Sequence, residues 1–178
     1  MGRPNLVVKH LPARIYHTFY RVIVLNHFTN TQASKAHFIF IMSVALPAGL
    51  YKIQVTSSNP ALTLAAPSSA GGNITVNTSS SQVWQVSGDG VLTAFTTFAG
   101  QARTNNSPAA QGTNVVANSG SSAQWIITGV KFISNSYWTG YIMTNDGTQL
   151  FWNLDGNNNV LVNPSSSKAQ FTFTPVSI

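Results

Sequence analysis

Asn73-Ile74-Thr75-Val76-Asn77, Asn114-Val115-Val116-Ala117-Asn118 and Asn159-Val160-Leu161-Val162-Asn163 are three copies of one phrase: an asparagine, three residues of strand character and a second asparagine. Each copy leads through a serine-rich turn to a glutamine and an aromatic, in Gln82-Val83-Trp84, Gln124-Trp125 and Gln170-Phe171. The aromatics recur about every 40 to 46 residues, the period of an array whose units cannot bury their apolar faces singly.

Around each phrase the chain alternates with period two between Ser, Gly, Asn and Pro breaks, which is strand grammar. The first unit reads as strands at Leu50–Val55, Leu62–Leu64, Ile74–Val76 and Trp84–Val86, and the third as Tyr141–Met143, Leu150–Leu154, Val160–Val162 and Phe171–Phe173. The middle unit diverges most, because the polar Gln101-Ala102-Arg103 stands where its second strand belongs. All three aspartates precede glycine, as Asp89-Gly90, Asp146-Gly147 and Asp155-Gly156, and Asp-Gly between alternating segments predicts a type I′ hairpin turn. Three units of four short strands should close around a shared axis, which protects their edges. The expected fold is all-β, with repeats at about 45–89, 90–132 and 133–178.

Composition agrees. Charged residues are 7 % of the chain, and there is no Glu and no Cys, so the charged helix formers Glu, Lys and Arg are scarce and disulfide or thiolate-metal chemistry is excluded. The formal charge of +6 is unevenly placed. Residues 1–41 carry Arg3, Lys9, Arg14, Arg21 and Lys35 with no acid, together with all four histidines, whereas the rest is close to neutral. Phosphate recognition by a basic patch therefore has little to work with in the repeat body, and no nucleic-acid partner is expected. The apolar run Phe38–Leu46 is too short to span a bilayer, so no membrane insertion is expected. The change of composition at Met42 marks residues 1–41 as a non-globular basic extension and Met42 as the functional start of a domain over 42–178. Cytoplasmic residence is the expected location. Secretion is the alternative, on three sequons beginning at Asn73, Asn77 and Asn105.

An enzyme is not expected. Acid–base chemistry wants His, Glu or paired carboxylates, and residues 42–178 hold only three turn aspartates. No metal site and no cofactor fingerprint is present.

The repeat endings, the opening Leu46-Pro-Ala-Gly-Leu-Tyr51-Lys-Ile53 and the closing Phe171-Thr-Phe173-Thr-Pro175-Val176 resemble the fungal β-trefoils of the ricin-B-like lectin superfamily. The resemblance spans nearly all of 42–178 and implies a β-trefoil fold and carbohydrate binding. The same scaffold also resembles fungal Kunitz-like and mycocypin-type protease inhibitors. Only the first repeat keeps a literal Gln-x-Trp, at Gln82 and Trp84.

Sugar binding calls for an aromatic face flanked by amides and a carboxylate. The third repeat is densest in these, and the expected carbohydrate site is Trp138, Trp152, Asn153, Asp155 and Asn157. Trp84, Trp125 and Phe171, at equivalent places in the three repeats, read instead as core. Glycans or glycoconjugates are the expected partners, with single-site affinity of about 1 mM to 1 μM, so that avidity calls for several sites or a homo-oligomer. The alternative is a protease inhibitor that presents Arg103 on the loop Gln101–Pro108 to a trypsin-like pocket.

Overall fold

A computed structural model describes residues 45–88, 92–120, 123–133 and 136–177. The basic extension and the turn expected at Asp89-Gly90 lie outside them. Twelve strands are formed among the described residues, four in each repeat: β1 (Gly49–Val55), β2 (Thr63–Ala65), β3 (Thr75–Asn77) and β4 (Trp84–Gly88); β5 (Thr93–Thr97), β6 (Gly100–Thr104), β7 (Val115–Asn118) and β8 (Trp125–Ile133); β9 (Tyr137–Thr144), β10 (Phe151–Leu154), β11 (Val160–Asn163) and β12 (Phe171–Pro175).

Antiparallel pairing runs β1 to β4, β4 to β5, β5 to β8, β8 to β9, β9 to β12 and β12 back to β1, so six strands close a barrel. The remaining strands form three hairpins, β2–β3, β6–β7 and β10–β11, each joined to the barrel strand before it. A six-stranded barrel capped by three hairpins is a β-trefoil. The segment Gln101–Arg103, too polar to read as a strand, is one. It pairs with Asn118, Ala117 and Val116 of β7, and that ladder overrides its weak intrinsic preference.

The asparagine phrases are the interlock of the three hairpins. Asn73 bridges Val116, Asn114 bridges Leu161, and Asn159 bridges Thr75, so the first asparagine of each phrase pairs with the middle of the next one around the ring. Backbone bonds repeat the same threefold pattern: Val76 N–H donates to Asn158 O, Ala117 N–H to Gly72 O, and Val162 N–H to Thr113 O, at 2.9 to 3.1 Å. Ile74, Val115 and Val160, one place after each leading asparagine, are fully buried.

Register sets Leu64, Ala102 and Trp152 as equivalents on the second strand of each repeat. Trp84 Nε1–H donates to Leu64 O at 3.3 Å and Trp125 Nε1–H to Ala102 O at 2.8 Å, so each indole is tied to its own hairpin. In the third repeat the large ring has changed strands. Phe171 stands where the tryptophans stood, Trp152 replaces Leu64 and Ala102, and Trp152 O accepts the N–H of Ala169 instead. Trp152 packs against Trp125, Phe95 and Phe171 with ring centroids 5.1, 5.4 and 5.8 Å apart.

Candidate functional site

The five residues expected to form one sugar site do not form one. Trp152 has no exposed surface and belongs to the core; its place opposite Val162, on the inward face, puts it there. Trp138 lies within β9. It is half-buried, edge-on to Tyr51 at 6.0 Å and tilted against Phe132 at 5.2 Å. It pairs with Phe173 near the start of β9, whereas Met143, near the other end, pairs with the β10 strand that leads to Asp155. At about 3.3 Å per residue, those five steps alone separate Trp138 from the β10–β11 hairpin by roughly 16 Å.

Asn153, Asp155 and Asn157 do share that hairpin, but its carboxylate serves the turn. Asp155 Oδ1 accepts the N–H of Asn157 and of Asn159, each at 2.8 Å, and Oδ2 accepts the Asn159 side-chain amide at 2.8 Å. The Asn159 side chain, followed by its backbone N–H, holds the Asp155 carboxyl below the usual range. The left-handed residue here is Asn158, with φ of 64°, not Gly156. The loop is therefore a type I turn followed by an αL residue, and not the type I′ turn that Asp155-Gly156 predicts.

The polar cleft lies elsewhere, between the second and third repeats. It has a volume of about 300 Å³ and is built from three segments distant in sequence. β6 and its following loop supply Arg103, Thr104, Asn106 and Ser107; the approach to β8 supplies Ala123, Gln124 and Trp125; the end of β9 and its turn supply Thr144, Asn145 and Asp146. Asn106, Ser107, Gln124 and Asn145 are exposed at its rim, and the buried Trp125 forms its floor. Arg103 is thus on a strand in the wall of a cleft, not at the tip of a projecting loop, because only residues 105–108 of the expected loop lie beyond β6.

Asp146 organises the cleft. It accepts the N–H of Ala109, and its other oxygen accepts the N–H of Thr148 at 3.1 Å and the Thr148 hydroxyl. Partial burial pulls its pKa up, but the Thr148 side chain, the Ala109 and Thr148 backbones and the Thr144 side chain outweigh this and hold the carboxyl below its ordinary value. Thr104 Oγ1–H donates to Asn106 O at 2.8 Å and braces the loop from the other side. Sequence alone signals the second and third repeats separately; nothing in it announces that residues 103–107 meet 144–146.

A second groove, of about 450 Å³, on the barrel wall is lined by Tyr137, Thr139, Thr172, Gln170, Thr56, Lys131 and Ile133. Among the described residues no group of three or more His, Asp or Glu side chains could hold a metal, and no helix is long and apolar enough to cross a membrane.

No characterised protein family and no curated protein matches the chain. Solved structures do. The designed threefold-symmetric protein ThreeFoil superposes with a TM-score of 0.57 at 18 % identity, over 72 % of this chain and 99 % of that one. A lectin of Polyporus squamosus, solved with a bound glycan epitope, gives 0.53 at 15 %, over 71 % of this chain and 48 % of the lectin, so the similarity spans about half of the lectin's length. A proteinase inhibitor of Coprinopsis cinerea gives 0.53 at 17 %, over 74 % and 100 %. At these identities what is shared is the fold.

Proposed function

We propose that this β-trefoil is a carbohydrate-binding protein and that its sugar site is the cleft between the second and third repeats. The carrying observation is the lining: the amide residues Asn106, Gln124 and Asn145, the hydroxyl of Ser107, and one charge of each sign at Arg103 and Asp146 border one concavity. Such a mixture of donors and acceptors suits the hydroxyls of a saccharide, and the open, exposed rim suits a shallow and weak site. The lectin of the same fold from Polyporus squamosus agrees with the reading by analogy.

The test is a glycan array on the full chain beside a Gln124→Ala, Asn145→Ala double variant, with circular dichroism to check folding. Both side chains are exposed at the rim, so the variant should fold and lose binding at least tenfold. Undiminished binding would place the sugar elsewhere, and no binding by the parent would overturn the reading.

Protease inhibition is the second reading. It rests on the exposed residues 105–108, pinned at one end by the Thr104–Asn106 bond and at the other by Ala109 on Asp146, because a preorganised loop loses little entropy on docking. Residual activity of a serine and a cysteine protease panel against added protein would test it.

A further inference from the structure

We infer that the cleft selects saccharides bearing a carboxylate, and that Arg103 sets this preference; the inference rests on the carbohydrate reading above. Register makes Ala65, Arg103 and Asn153 equivalents, each lying opposite the middle residue of its asparagine phrase. The fold accepts a methyl group, a guanidinium or an amide at that place, so nothing in the trefoil itself asks for the cation. It appears only in the repeat whose hairpin loop is folded over a cleft.

The guanidinium is not consumed by the protein. Among the described residues Arg103 makes no ion pair, and its one hydrogen bond is a long one, from Nε–H to the carbonyl of its neighbour Thr104 at 3.4 Å. Its Nη1 lies over Gly120, where an added Cβ would come within 3.3 Å, so the absence of a side chain there leaves room for the group to lie along the wall. Asp146, on the opposing wall, keeps its charge but forms no ion pair with it, because its oxygens are engaged by Ala109 and Thr148, and the donors of Arg103 stay available to a ligand. A planar fork of N–H donors in a partly water-excluded wall matches a carboxylate in two-point geometry, which a hydroxyl cannot reproduce.

The test compares galactose oligomers with galacturonic acid oligomers by equilibrium binding to the full chain and to Arg103→Met and Arg103→Lys. The parent should favour the acidic series about tenfold. Arg103→Met should bring the ratio near one by weakening the acidic series more than the neutral one, and Arg103→Lys should recover part of it, as a point charge without the fork. The five cations of residues 1–41 are intact in every variant, so non-specific attraction of the acid would survive Arg103→Met and would overturn the inference. Equal affinity of the parent for both series would overturn it too and leave the carbohydrate reading standing. Binding of neither series, alongside a blank glycan array, would remove both.

Discussion

The carboxylate of Asp146, in the turn after β9, accepts the backbone N–H of Ala109, in the loop after β6, so the third repeat holds shut a loop of the second. The clip explains why a cleft is found at this junction. The β10–β11 loop of the third repeat is much shorter and folds around its own aspartate, leaving no flap to raise a second wall.

Asp146→Ala should therefore cost about 1 kcal/mol, below the usual range for hydrogen bonds to a charged group, because the residue is exposed and water competes. It should weaken glycan binding more than stability, by freeing residues 104–108. The pH dependence has a definite sign. The folded pKa is below the ordinary 3.8, so the stabilisation is present above pH 3.8 and disappears as pH falls through the lower folded value. Urea midpoints of parent and Asp146→Ala, measured from pH 7 down to pH 2.5, should converge in acid; a gap that stays constant would show that the carboxylate's charge is not what holds the loop.

Trp152 separates core from site. Trp152→Ala should destabilise by about 3–5 kcal/mol, the range for deleting a large buried ring. Trp152→Phe should cost much less, since Phe95, Trp125 and Phe171 still find a ring in contact and the indole Nε1–H it removes has no hydrogen-bond partner. Glycan binding by Trp152→Phe should equal that of the parent. Selective loss of binding in that folded variant would return Trp152 to the site.

The turn that carries Asp146 also holds two left-handed residues, Gly147 at φ of 84° and Gln149 at φ of 55°. Nothing lies within 4 Å of a Cβ added to Gly147, so Gly147→Ala isolates the backbone term and should cost about 1 kcal/mol. Gln149→Gly relieves the same term at the second position and should be neutral to stabilising by about 0.5 kcal/mol, offset by the freer unfolded chain. Thermal midpoints of the two variants should move in opposite directions, or the second not at all; a large loss in Gln149→Gly would mean its side chain has a packing role.

The threefold plan was legible because the axis imposes the same hydrogen-bonding demand three times. Asn73, Asn114 and Asn159 recur where hairpins bridge, and Trp84, Trp125 and Phe171 recur where barrel strands turn inward. The cleft was not legible, because its walls come from segments that only barrel closure brings together. Trp138 and Trp152 looked alike as aromatics near amides, yet the barrel sends one against Tyr51 and the other into the centre. Arg103 was visible as an isolated cation, but its element was not: a polar tripeptide carries no strand signal until Val116 and Ala117 pair with it.

Tyr51 supplies an alkaline counterpart to the acid limb set by Asp146. Its ring is buried between Trp138 and Phe173, and its hydroxyl donates to Pro47 O at 2.9 Å. Burial pushes its pKa up to about 12, from 10.0. The neutral phenol is thus the form that the folded state prefers. Its contribution is complete below pH 10, where the unfolded chain is also neutral, and is lost as pH rises from 10 through about 12. At neutral pH, Tyr51→Phe should cost about 1 kcal/mol for the donor withdrawn from Pro47. Urea midpoints between pH 9 and 12 should fall more steeply for the parent than for Tyr51→Phe. Parallel curves would assign the alkaline limb to other groups and leave Tyr51 a packing residue alone.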